Sequence, residues 1–176
     1  MTKLTFLSLA QNELEGPLTD EIGDLVLLKT LRLNDNSLSG TLPISLQKLV
    51  NLQVLDLATN GFHGTLMVEF SKLTSLVELE FHDNLINGTI PVEWEALTNL
   101  RILSIARNSI TGSIPDGLCQ RSVAGTLSIV IDCESGRSEI DCTGCECDCF
   151  TGRFRRDVIA FLFFMDVLLT FLFPLQ

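Results

Sequence analysis

Six cysteines, two histidines and a scatter of carboxylates are the side chains best equipped for chemistry in this 176-residue chain. Cys119, Cys133, Cys142, Cys145, Cys147 and Cys149 are confined to one short stretch. An even, clustered set reads as a disulfide framework in an oxidising compartment. The run Cys142-x-x-Cys145-x-Cys147-x-Cys149 also offers thiolates to a soft ion such as Zn²⁺. Its spacing is not that of separated CxxC knuckles and no histidine is near, so disulfides are favoured and no metal is expected. His63 and His82 are few for an active site built on imidazole bases, and no phosphate loop, kinase signature or nucleophile elbow is present. With 12 Lys+Arg against 22 Asp+Glu the net charge is −10, which argues against a nucleic-acid partner. The 46% apolar content excludes disorder. A binding or scaffold protein without cofactor is expected, not an enzyme.

The elements that position these groups follow from a period of 24. Asn12, Asn36, Asn60, Asn84 and Asn108 keep that spacing, and Gly16, Gly40, Gly64, Gly88 and Gly112 follow four residues after each. Upstream columns are apolar: Leu9, Leu33, Leu57, Phe81 and Ile105, and before them Leu7, Leu31, Leu55, Leu79 and Leu103. Alternation such as Leu31-Arg32-Leu33 predicts a short strand with one buried face. One coil cannot bury its apolar side alone, so the coils must stack on one another. The Asn amide, both donor and acceptor, is expected to satisfy main-chain groups of its own and an adjacent coil. Pro43, Pro91 and Pro115 suit an extended convex segment, so little regular helix is expected there.

The stretch Leu31 to Pro43, Leu-Arg-Leu-Asn-Asp-Asn-Ser-Leu-Ser-Gly-Thr-Leu-Pro, resembles the plant-type 24-residue leucine-rich repeat. The resemblance covers about Leu4 to Cys133 and implies a right-handed α/β solenoid with a parallel sheet on its concave face. It also implies receptor-like, inhibitor-like or adhesion-like binding roles. The segment from Ser128 to Cys149 resembles the cysteine-rich close of secreted or membrane-tethered repeat proteins in diatoms.

Three regions are expected: a solenoid of five repeats and a partial sixth over 1–132, a cysteine-rich cap over 133–152, and a hydrophobic tail over 153–176. In the sixth unit Asp132 takes the ladder position, with Leu127 and Ile129 in the strand columns. Val158 to Leu175 holds 15 apolar residues in 18, enough for a helix of about 27 Å, against a hydrocarbon core of about 30 Å. This tail is read as a candidate membrane segment, the alternative being a helix buried on the solenoid end. Arg153, Arg155 and Arg156 before it favour a cytosolic, tail-anchored placement, whereas the cysteines favour extracellular or lumenal repeats. A lipid-anchor signal, with Thr143-Gly144 as its small-residue site, would reconcile the two. At the other end Leu4, Leu7, Leu14 and Leu18 have no preceding coil, so a longer chain carrying a cap and a signal is expected.

Stacking brings Arg32, Asp35, Asp56, Glu78, Glu80, His82, Asp83 and Arg107 onto the exposed strand face, neighbouring strands lying about 4.8 Å apart. One reading is a protein- or peptide-binding strip favouring a cationic segment; the other is a solvated face that keeps the protein soluble. Asp56 and Glu80 also suggest a glycosidase pair, but an open sheet is expected to provide neither the cleft nor the raised carboxyl pKa that such a pair needs. His82 is read as a surface partner of Asp83, and His63 as facing water on a convex loop. Asn87-Gly88-Thr89 is a glycosylation acceptor pattern, placed in the convex bend of the fourth unit. The role expected is membrane-tethered recognition or signalling. Alternatives are an ectodomain fragment of a receptor kinase and a soluble inhibitor of cell-wall-degrading enzymes. Alkylation of the native protein followed by mass spectrometry separates the compartments: a stapled, lumenal chain shows no modified thiol, a cytosolic or metal-holding one shows six.

Overall fold

The computed structural model describes residues 3–132 and 139–149. Each 24-residue unit forms one coil carrying two short strands. Along the chain these are β1 (Phe6–Ser8) and β2 (Glu15–Pro17), β3 (Thr30–Arg32) and β4 (Ser37–Thr41), β5 (Val54–Asp56) and β6 (Gly61–Thr65), β7 (Glu78–Glu80) and β8 (Leu85–Thr89), then β9 (Ile102–Ser104) and β10 (Ser109–Ser113). β11 (Ser128–Ile131), β12 (Glu139–Asp141) and β13 (Asp148–Cys149) follow. Odd-numbered strands build a seven-stranded parallel sheet on the concave face, in chain order. Even-numbered strands build a second parallel sheet of six, running β2 to β12.

The second sheet was not expected from the sequence, which reads there as bends. It forms because the coils stack in register, so the extended segments after each Asn meet their equivalents one turn away, Gly40 opposite Phe62 and Gly64 opposite Ile86. Gly88 in this sheet has φ +82°, a backbone that favours glycine, and a Cβ on it would stand 3.1 Å from Thr65 Cγ2, a tight contact. On the convex side the coils return through single 3₁₀ turns, Asp20–Asp24, Ile44–Lys48, Val68–Lys72 and Val92–Ala96. Pro43 and Pro91, extended at φ −71° and −63°, immediately precede two of them.

The core runs the length of the solenoid. Leu28, Leu52, Leu76 and Leu100 are inaccessible to solvent, as are Leu31, Leu55, Leu79 and Leu103, each worth about 1.5–3 kcal/mol of burial. Trp94 fills a column that holds Leu46 and Phe70 in earlier coils; it stacks on Phe70 at 6.1 Å, and its Nε1 donates to the Met67 carbonyl at 2.9 Å. The first coil is less covered, with Leu4 and Leu14 exposed and Leu7 and Leu18 half-buried.

The asparagines lock adjacent coils. Asn60 Nδ2 donates to the Leu33 carbonyl of the preceding coil at 3.0 Å and to Leu57 and Ala58 in its own, while Oδ1 accepts from Leu38 N–H at 3.0 Å. Asn36, Asn84 and Asn108 repeat this pattern. The Asn12 side chain bonds within its own coil, donating to the Leu9 and Ala10 carbonyls. Asp132 accepts instead from Arg107 N–H at 2.6 Å.

At the C-terminal end the 3₁₀ turn lengthens into helix α1 (Asp116–Val123). Arg121 on α1 donates to the carbonyls of Leu97 and Leu100, and Ser122 Oγ to that of Glu146. Disulfides Cys119–Cys145 and Cys142–Cys147 tie α1 to the cap and close the cap on itself, so these four cysteines are not thiolate ligands. The pairing expected of Cys133 and the side chain of Cys149 lies outside the described residues, as does the hydrophobic tail 153–176 with its expected helix. Among the described residues no helix is long and apolar enough to cross a membrane.

Because it serves two coils, Asn60 outweighs Asn12. Asn60→Ala is expected to lower the unfolding free energy by about 3 kcal/mol and Asn12→Ala by about 1 kcal/mol. Urea denaturation followed by circular dichroism checks the contrast; equal losses would show that the inter-coil bonds add nothing.

Candidate functional site

In the concave strands the apolar side chains point inward, so the residues between them line the outer face. One lane reads Ser8, Arg32, Asp56, Glu80 and Ser104, with Arg32 opposite Asp56 and Asp56 opposite Glu80 in the register. A second contains Glu78 and a third His82. The carboxylates therefore converge at the centre of the sheet. Asp35, Asp83 and Arg107 lie at its C-terminal rim, where the column before each ladder Asn is left-handed, at φ 56°, 56° and 52°. Non-glycine residues seldom adopt this conformation. It is held here by bonds to the next coil, such as Asp35 N–H to the Ala58 carbonyl and Asp83 N–H to that of Ala106.

Arg32 Nη2 lies 3.7 Å from Glu78 Oε2, and Arg107 Nη1 lies 3.1 Å from Asp83 Oδ1. Asp56 Oδ1 accepts from Ala58 N–H at 3.2 Å. His82 feels the charge of Asp83, as the sequence suggested, and also reaches inward: its Nδ1 lies 3.1 Å from Ser104 Oγ and 3.8 Å from Glu80 Oε2, and the ring is largely buried. The Ser104 contact is implicit in the repeat, since Ser104 stands 24 residues after Glu80, but only the burial of both groups reveals it. Asn34 stands in the same column as His82, two coils earlier. Its Nδ2 donates to Asp35 Oδ2 at 2.8 Å, while its Oδ1 is buried without a partner among the described residues. His63 is exposed, on strand β6.

The electrostatics correct a second expectation. Burial pushes the Glu80 carboxyl up to about 8, helped by Asp56 and Glu78 beside it and opposed by Arg32. Burial raises Asp56 to about 6, opposed by the Ala58 N–H and by Arg32, and raises Glu78 in the same sense. Burial also holds His82 below its ordinary range, which favours the neutral ring. A sheet face thus does supply carboxyls of raised pKa, because neighbouring strands crowd like charges and exclude water. Ser104 is fully buried, so it is no nucleophile for an external substrate. No group of three or more described His, Cys, Asp or Glu residues is placed to hold a metal ion. Among the described residues, open depressions lie elsewhere, such as one of about 510 Å³ at the cap, near Ser128 and Asp148, and one of about 700 Å³ between Pro17, Pro43 and His63.

A family model described as Leucine Rich Repeat matches residues 27–49, 51–73 and 99–120. No curated protein matches the sequence. Among solved structures, one of a TDR receptor is 32% identical with a TM-score of 0.72 over 79% of this chain. The ectodomain of the receptor kinase SOBIR1 from Arabidopsis thaliana is 33% identical, with a TM-score of 0.62 over 65% of this chain. The plant peptide hormone receptor RGFR1, solved in complex with RGF2, is 32% identical, with a TM-score of 0.62 over 79% of this chain. The chain spans 23%, 61% and 25% of those structures, respectively.

The raised carboxyls set a pH dependence. A group whose pKa is higher in the fold binds more protons folded than unfolded, so its contribution is full below its ordinary value and is lost as pH rises through the folded one. For Glu80 that window runs from 4.5 to about 8, and for Asp56 from 3.8 to about 6. Stability should therefore fall between pH 5 and pH 8. Glu80→Gln, a neutral isostere, should flatten the fall and gain on the order of a few kcal/mol at pH 8. Denaturation midpoints across that range test this; a variant as pH-sensitive as the parent would place the titrating group elsewhere.

Proposed function

Because this chain is a leucine-rich-repeat protein with an acidic, charge-crowded concave sheet, we propose that it is a non-catalytic recognition module whose ligand is a protein or peptide lying across that sheet. The observation that carries the reading is the convergence of Asp56, Glu78 and Glu80 at the sheet centre, with Arg32 on one side and Arg107 paired to Asp83 on the other. Three carboxyls with one nearby arginine leave a deficit of positive charge. A lysine or arginine side chain of a ligand repairs it, displacing the proton from the largely buried Glu80 and pairing with the carboxylates of Asp56 and Glu80. The arginines at the flanks discourage cations there and so set the register of the bound segment.

Peptide recognition is supported by likeness to a receptor solved with a peptide hormone, and a receptor-type ectodomain is the wider context the similar structures favour. The disulfides at the cap support an oxidising, extracellular or lumenal setting. Tethering through the tail 153–176 completes the proposal; the tail lies outside the described residues. The raised carboxyls meet one condition of a glycosidase pair, but a hydrolytic role also needs a substrate cleft over Asp56 and Glu80, so binding is the reading advanced.

Selection of short random peptides on the purified protein tests the proposal. Binders should be enriched in Arg or Lys at one position and weaken about tenfold, some 1.4 kcal/mol, on Asp56→Asn or Glu80→Gln. Glu93→Gln, on the convex side, should leave them unchanged. Binders without a cation, or indifferent to the concave substitutions, would refute the assignment.

A further inference from the structure

The 176 residues contain one Asn-x-Ser/Thr pattern, Asn87-Gly88-Thr89, and the fold places it on a strand and not in the bend first expected. Asn87 lies within β8 of the second sheet, opposite Thr65 on one side and Ser109 on the other, with its side chain exposed. Every ladder asparagine spends its amide on main-chain groups, whereas that of Asn87 makes no hydrogen bond among the described residues. Two residues earlier, on the same outward face and about 6.7 Å along the strand, stands Leu85. At 63% exposure it is the most exposed large apolar side chain described, and the fold offers no reason for it.

We propose that Asn87 carries an N-linked glycan whose first sugar lies over Leu85 and covers the outward face of the second sheet around the fourth coil. The donor is a polyprenyl-diphosphate-linked oligosaccharide. Asn87 Nδ2 forms the bond to the anomeric carbon and gives up a proton to the transferase, and the lipid diphosphate leaves with the electron pair of the broken C–O bond. Thr89, two residues on, supplies the hydroxyl such acceptor sites require. The neighbours across the strands, Thr65 and Ser109, are small, so the sugar reaches Leu85 without displacing a packed side chain. Its C–H face removes part of that leucine from water, as apolar contact does elsewhere in the molecule. The disulfides at the cap fit a chain that passes through the compartment where this transfer occurs. The glycan leaves the concave sheet clear.

The test is secretion from a eukaryotic host behind a heterologous leader, with intact mass read before and after peptide-N-glycosidase. The parent and Thr89→Ser should carry one enzyme-releasable glycan, and Asn87→Gln and Thr89→Ala none. The glycosylated parent should melt at a higher temperature than the same protein after deglycosylation, and Leu85→Ser should shrink that difference. An unmodified parent, in a host that glycosylates a control protein, overturns the site. A glycan that persists in Thr89→Ala also overturns it. An undiminished difference in Leu85→Ser overturns the packing on Leu85.

Discussion

A buried peptide group must find a partner, and in a molecule built of five-residue turns and strands of two to five residues most partners lie in the next coil. The asparagine ladder meets that constraint. Each interior amide bridges three carbonyls and one N–H across two coils, as Asn60 does with Leu33, Leu57, Ala58 and Leu38. This fixes the distance and the register between units, and the rest follows. Leucines stack into columns, two parallel sheets form on either side of the ladder, and the side chains between inward leucines line up into lanes. The concave lane is therefore a product of the core. Asp56 and Glu80 face each other because Leu55 and Leu79 do.

That coupling explains how an ordinary-looking surface acquires unusual electrostatics. In a free strand Glu80 would ionise at an ordinary pH. Held between Asp56 and Ser104, beside Glu78 and His82, it loses water and gains like-charged neighbours, and both effects favour the proton. A packing rule thus sets the charge state of the face a ligand would meet. Fold alone does not assign function, and the chemistry of this lane is what gives the proposed role its content.

Much of this was legible in the sequence, because a 24-residue period names both the buried columns and the exposed ones. Leu31, Leu55 and Leu79, the ladder asparagines and the lane from Arg32 to Ser104 could be placed by counting. What could not be counted depends on depth and direction. The second sheet emerges only when segments that look like bends are stacked. One 3₁₀ turn lengthens into α1 although an extended proline, Pro115, precedes it as Pro43 and Pro91 precede the shorter turns. The approach of His82 to Ser104 Oγ and Glu80 Oε2 likewise depends on how deeply the ring sinks between coils. The pairing of Cys119 with Cys145 follows from where α1 sets Cys119 against the cap, and no spacing rule ranks the possible pairings.

The parallel strands also give the molecule a mechanical polarity. Consecutive coils are held by bonds such as Leu57 N–H to the Glu80 carbonyl and Leu33 N–H to that of Asp56, all directed along the stacking axis. A pull on the chain termini loads these rungs one after another and not together, so the solenoid yields by peeling. Where α1 meets the cap, the covalent bridge Cys119–Cys145 welds the array. Under tension the coils held only by such rungs give way before the cross-linked cap does, so the weld marks where peeling halts.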